Sequence, residues 1–225
     1  MFFCNLTKFI VFVETLLKNI LLLKNYLYLC IIITNLFRVR VKIQNIATVR
    51  SGIYIKEIPK GDVGYLQVGD FDKDTNRFLL PPLTLELNNK TESHLLLDGD
   101  IVFAAKGISN FSSVFREGMG KMVASSSFLV IQVTDKAVIN PDYLCWLLNR
   151  IETLSFLRAN ATGTSMPSIS KALVEKYKIN VPSIHVQNKI IEIVKLQQRE
   201  KQLYEDILFM RDKIVQSQLI AVTKQ

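Results

Sequence analysis

Few residues in this chain have the type and spacing that covalent or metal chemistry needs. The three cysteines, Cys4, Cys30 and Cys145, are odd in number and widely spaced, with no CxxC pair. That pattern supports neither a disulfide framework nor a zinc site, and it fits a reducing compartment. His94 and His185 lie far apart, without a second ligand at helical spacing, and are expected to be structural or exposed rather than metal-bound. Asp70, Asp72 and Asp74 alternate, but the glycine and distal glutamate of a calcium loop are missing. The stretch GMGKMVASSS at 118–127 resembles a phosphate loop only faintly. The first glycine of GxxxxGK[ST] would fall at Phe115, and Met122 stands where Ser or Thr is required. No acidic residue lies two positions before a lysine, so the acidic-x-Lys half of a common nuclease motif is absent. LPPL at 80–83 lacks the polar first residue and final aromatic with which amino-methyltransferases hold an extruded base. Ser, Cys and Thr nucleophiles show no credible histidine partner by sequence pattern, which leaves a spatial one open. The expectation is a protein with no catalytic residues, no metal and no cofactor.

Binding chemistry is better represented. The formal net charge is +8, and 49% of the 225 residues are apolar, so a core can form while the surface stays basic. A basic surface suits an anionic partner: nucleic acid, an acidic membrane face or an acidic protein.

The elements that must position such a surface begin after residue 37. Residues 1–37 contain no Gly, Pro, Ser, Ala or Asp. Lys8, Glu14, Lys18 and Lys24 interrupt the apolar run, which is too broken for the roughly 20 consecutive apolar residues of a membrane span. No small-residue cleavage site follows. Three readings stay open: a membrane-surface or buried helix, an anchor, or an AT-rich upstream stretch translated from an early start codon. The segment carries three Lys and one Glu, so +6 of the charge belongs to the remainder.

From VKIQNIATVRSG onward, short β-branched or aromatic runs are separated by Gly, Asn, Asp or Pro. Strands are expected at Val63–Val68, Leu83–Leu87, Ile101–Lys106 and Phe128–Val133, with GDFDKDTNRF as an acidic turn. A helix is expected from the Asn140 cap and Pro141. Its apolar face would be Tyr143, Leu144, Leu147, Leu148, Ile151 and Leu154, with Trp146 at the core edge. ATGTSMPS reads as a loop, Ser168 or Ser170 as the cap of a short helix through Lys176, and YKINVP as a last strand ended by Pro182. Beyond it, Ile193, Leu196, Leu203, Ile207, Met210 and Ile214 recur at three- and four-residue steps. That is a heptad seam on a long helix that needs another helix. The fold class predicted is α+β: a mixed, mainly antiparallel sheet with flanking helices, then a long C-terminal coiled-coil helix. The boundaries are 1–37 for the extension, 38–182 for the folded domain and 183–225 for the helix.

IATVRSG, GYLQVGDFD, LLLDGDIVFAAKG and NATGTSMPSISKALVEKYKINVPSIHVQNKIIEIV occur in that order. Together they resemble one target-recognition domain, plus its helix, of a specificity subunit of type I restriction–modification systems. The resemblance runs from about Val39 to the C-terminus. Its most specific part is the closing loop, short helix, Val-Pro strand end, and Gln187 and Ile190 opening a long helix. His185-Val186 departs from the acidic residues usual before the Gln. A full subunit holds two such units, whereas this chain has one and no internal repeat. It therefore resembles a half-subunit: a truncated gene, a shuffled cassette or a homodimer-forming protein.

The resemblance implies a non-catalytic, cytoplasmic reader of one half of a split site in double-stranded DNA. Its long helix would pair with a second copy or another half-subunit and dock methyltransferase subunits, and through them the restriction/translocase subunit. Lys73, Arg77, Lys106, Arg116 and Lys121 are expected to meet phosphates or guanine edges. Ser109, Asn110, Thr162, Gly163, Thr164 and Ser165 are expected to contribute through the recognition loops. The alternative is a membrane-tethered coiled-coil interaction protein, which takes residues 1–37 literally.

Overall fold

The computed structural model describes residues 40–72, 77–107, 109–163 and 167–223, with only the backbone of Arg77 and Val222. Val41–Ile179 and Ser183–Gln225 form one compact unit, described below. The strands are β1 (Arg40–Lys42), β2 (Ala47–Ser51), β3 (Val63–Leu66), β4 (Phe71–Asp72), β5 (Arg77–Phe78), β6 (Leu83–Leu85), β7 (Ile101–Ala104), β8 (Ser112–Val114), β9 (Met122–Ala124), β10 (Phe128–Val133) and β11 (Lys178–Asn180). The helices are α1 (Asn89–Glu92), α2 (Pro141–Leu148), α3 (Ile151–Ala159), α4 (Lys171–Lys176) and α5 (Ile184–Thr223).

The central sheet is four-stranded and antiparallel, in the order β2-β10-β7-β8. A second sheet, β6-β3-β9, joins an antiparallel and a parallel pair. β4 and β5 form a hairpin, and β1 pairs with β11. This is the mixed, mainly antiparallel α+β architecture expected from the sequence. The apolar runs FLVIQV and IVFAA are nearly continuous because the central sheet is covered on both faces. On one face Phe128, Val130, Val102 and Ala104 pack with Leu66, Met122 and Phe111. Ile101, Phe103, Leu129 and Ile131 alternate onto the other face and are equally buried. Helix α2 packs against β8 and α4 against β2.

The motifs quoted for the resemblance turn out to be joints of this fold. Arg50 of VRSG donates to the carbonyls of His94 and Leu95 at 3.2 and 2.9 Å and lies 3.5 Å from Asp100. Asp100 of LLLDGD is buried and accepts from Leu97 N at 3.1 Å. Burial raises its carboxyl above the ordinary range, against the lowering pull of the Leu97 N–H and Arg50. Gly52 sits where the chain after β9 crosses. A Cβ built there would lie 2.1 Å from the Ser125 carbonyl oxygen and 2.6 Å from that of Ala124. Both neighbours are backbone, so Gly52→Ala is expected to cost about 1–3 kcal/mol of stability by overpacking. Denaturant unfolding of the variant checks this.

Two expectations about elements are corrected. The single helix expected from Asn140 is two helices, broken at Asn149 and Arg150. Asn149 accepts from Ser112 N and donates to Ser112 O, both at 2.7 Å. Its amide thus serves as a peptide partner for the outer strand β8, which ends the helix and shields a sheet edge. The register changes there, so Ile151, assigned to the apolar face, is 81% exposed, while Thr153 and Leu157 are buried. Strand β3 also stops at Leu66, because Asp70 accepts from Gln67 N at 2.7 Å and closes a turn of 3-10 helix. Asn140 and Ser170 cap α2 and α4, as the sequence indicated.

Candidate nucleic-acid interface

Antiparallel pairing brings four connections to one end of the central sheet. Leu129 stands opposite both Ser51 and Phe103, and Phe103 opposite Ser112. The end of β2, the start of β10, the end of β7 and the start of β8 therefore share one edge. From it emerge the segment after Ser51, the Ser125–Ser127 turn and the 105–111 loop. The last of the four, around 161–170, is tied on by backbone bonds. Gly107 N donates to Pro167 O and Ile169 N to Ala105 O, both at 2.9 Å. Gly107 adopts φ +89°, a left-handed conformation that glycine takes without strain. The β4–β5 hairpin lies against the same end, with Phe71 stacked on Phe111 at 3.7 Å between ring centroids.

The structure sorts the predicted contact residues into groups. Lys106 is exposed at this end and bridges to Ser168. Thr162 is exposed and pairs with Ser168 through backbone bonds of 3.0 and 2.8 Å. Gly163 follows at φ +97°, and Ser109 is half-buried in the 105–111 loop. Arg77 stands opposite Asp72 in the hairpin. Lys73, Thr164 and Ser165 lie outside the described residues. Asn110 is buried, and its amide is used inside the fold. It donates to Ala104 O at 3.0 Å and accepts from Arg158 Nε at 3.0 Å. Arg116 and Lys121 are exposed but lie at the other end of the strands. Arg116 follows β8 and pairs with Asp142, and Lys121 precedes β9.

Sequence reasoning did not single out Lys56, Glu57, Gln67, Ser126 or Lys171. They line two open depressions, of about 280 and about 260 Å3, which share Ser126 at the loop end. For Lys56 and Glu57 the available signal was the charged KEIPKGD stretch shortly after the VRSG motif.

The opposite end of the sheet holds the root of α5. Gln187 is fully buried; it accepts from Asn140 N and donates to Val138 O, both at 2.9 Å. Asn140 Nδ2 donates to Asn188 at 2.8 Å, and Lys195 lies 4.0 Å from Asp142. Ile191 is the last buried residue of the helix. Beyond Val194 every described side chain is exposed. Ile193, Leu196, Leu203, Ile207, Met210 and Ile214 are 45% to 64% exposed. Tyr204, Leu208, Val215 and Leu219 form a second exposed stripe. At about 100° per residue, that stripe is centred about 120° around the helix from the line of Leu203, Ile207, Met210 and Ile214. The 40-residue helix is about 60 Å long at roughly 1.5 Å per residue.

Burial pushes the Cys145 thiol up to about 12, against a lowering hydrogen bond from Ser112, so it is protonated at neutral pH. Among the described residues no group of three His, Cys, Asp or Glu is placed to hold a metal ion. No helix among them is long and apolar enough to cross a membrane.

The profile of the type I restriction modification DNA specificity domain matches residues 39–207. No curated protein matches the chain. Among solved structures, it is similar to the type I restriction–modification S subunit from M. genitalium, at 13% identity and TM-score 0.52, covering 70% of this chain and 38% of that one. The HsdS subunit from Thermoanaerobacter tengcongensis aligns at 12% identity and TM-score 0.52, covering 72% and 37%. A chain from a structure of type I R-M complex assembly and conformational transition aligns at 15% identity and TM-score 0.58, covering 74% and 44%. The chain thus spans about two fifths of the length of these structures, and the likeness is one of fold.

Proposed function

The chain belongs to the type I restriction modification DNA specificity domain family, and on that premise we propose that it reads one half of a split DNA site for a methyltransferase complex. The observation that carries this reading is the division of the domain between two ends. Loops with Lys, Ser, Thr and Gly gather at one end of the central sheet, while the root of the long helix is built into the other. A reader so arranged can meet a duplex without disturbing its assembly contacts. Of the expected contact residues that the structure describes, Lys106, Ser109, Thr162 and Gly163 fit this role best. Arg116 and Lys121 fit the assembly end.

The helix supplies the second half of the proposal. One apolar stripe of α5 would pair with an equivalent helix, from a second copy or another half-subunit. The other would take a helix of a methyltransferase subunit, and through it the restriction subunit joins. The chain itself contributes recognition and spacing, not catalysis, and works in the cytoplasm.

Binding of the assembled chain and methyltransferase subunit to a duplex, measured across salt concentrations, tests the reading. The logarithm of affinity is expected to fall linearly with the logarithm of salt, by about 0.9 for each phosphate neutralised. Affinity that ignores salt, or no affinity in dilute buffer, would sink it.

A further inference from the structure

The two depressions at the loop end differ in charge, and the difference assigns them different parts of a duplex. The first is lined by Ser51, Lys106, Ser126, Ser168, Ser170 and Lys171, with no acidic residue in its wall. Its polar groups are donors suited to an anion: two ammonium groups and several hydroxyls. The Ser170 oxygen already accepts from Leu173 N at 3.2 Å, which leaves its proton to donate outward. Lys171 is half exposed and paired with Glu175 at 3.6 Å; a surface pair of this kind yields readily to a phosphate. The second depression, across Ser126, carries Tyr54, Lys56, Glu57 and Gln67. Gln67 Nε2 donates to Glu57 at 2.7 Å, which fixes the amide beside a carboxylate. A carboxylate repels backbone phosphates but accepts from cytosine amino groups, and a glutamine amide matches the adenine edge.

This wall is also held in place. Gly52 N donates to Phe128 O at 2.9 Å and Ile53 N to Ala124 O at 3.0 Å. The Tyr65 hydroxyl donates to Ile53 O at 2.8 Å. Readers mounted on a bonded segment keep their geometry, as discrimination between bases requires.

We propose that the Lys106–Lys171 depression seats a backbone phosphate of duplex DNA, and that Glu57 and Gln67, across Ser126, read base edges beside it. The assignment rests on the DNA-reading function proposed above and divides its surface into a positioning half and a specifying half.

The test uses the full chain co-purified with the methyltransferase subunit of its own genome. Binding to one random-sequence duplex is measured against salt, and preferred sequences are selected from a randomised duplex pool. Lys106→Ala with Lys171→Ala is expected to lower the salt slope by about 0.9, for the one phosphate no longer neutralised, and to leave the selected sequence unchanged. Lys106→Arg keeps the slope, as does Lys136→Ala at the opposite end of the sheet. Gln67→Ala and Glu57→Ala are expected to keep the slope and to relax the selected sequence at one or two positions. An unchanged slope in the double lysine variant overturns the phosphate seat. An unchanged selected sequence in both Gln67→Ala and Glu57→Ala overturns the base-reading assignment. In either case, duplex binding by the parent complex leaves the DNA-reading function standing. No duplex binding by the parent complex overturns that function and this assignment with it.

Discussion

Replacing Leu203, Ile207 and Met210 together by aspartate is expected to abolish assembly while the domain up to Ile191 stays folded. All three are more than two-fifths exposed and touch no core, so their loss leaves the globular part intact. If they become buried against a partner helix, each contributes about 1.5–3 kcal/mol. The triple change therefore removes at least about 4 kcal/mol, a thousandfold or more in association. Three carboxylates on one seam add a desolvation cost in the same direction. Deletion of Ile193–Gln225 is expected to have the same outcome. Sedimentation or light scattering with the methyltransferase subunit present reads the result, and far-ultraviolet circular dichroism checks that the sheet persists. Normal complex formation by either variant would show that α5 is not the assembly element.

The second large effect belongs to one buried amide. Gln187→Ala is expected to destabilise the chain by about 1–3 kcal/mol, because two backbone groups lose part-buried hydrogen bonds to a fully buried side chain. Those groups are Asn140 N–H, at the cap of α2, and Val138 C=O. Urea unfolding gives the number. Gln187→Glu provides a signed check. A carboxylate can accept from Asn140 N but donates to Val138 only when protonated, and burial favours the protonated form. The folded-state pKa of the new group is then raised above its unfolded value. Stability is greatest below the unfolded pKa and falls as pH rises through the folded one. An alanine variant with parental stability would mean that the root of α5 is not fixed through Gln187.

The elements of the fold were legible where local pattern and tertiary need agree. Phe128–Val133 reads as a strand because both of its faces are buried, and α5 reads as a helix because its periodicity is independent of the rest of the chain. Asn140 and Ser170 were recognisable as caps because capping is a contact between residues two or three apart. The break at Asn149 was not legible, since its cause is Ser112, 37 residues away. The order of strands in the sheets, the parallel β3–β9 pair among them, was hidden for the same reason.

The candidate contact surface was legible by residue type and not by place. The sequence marked Lys106, Thr162, Arg116 and Asn110 as one class of polar loop residue, and no spacing rule separates them. Strand order separates them: it puts Lys106 and Thr162 at one end, Arg116 at the other, and turns Asn110 inward to Arg158.

By itself, then, the sequence determined the class of the protein: a basic α+β domain followed by a long helix. Those properties follow from composition and short-range periodicity, which every local segment carries. Only the tertiary structure decided which polar groups face solvent together, because that depends on pairings between strands far apart in the chain. Such pairings are set by the shared burial of both sheet faces, which no single segment contains.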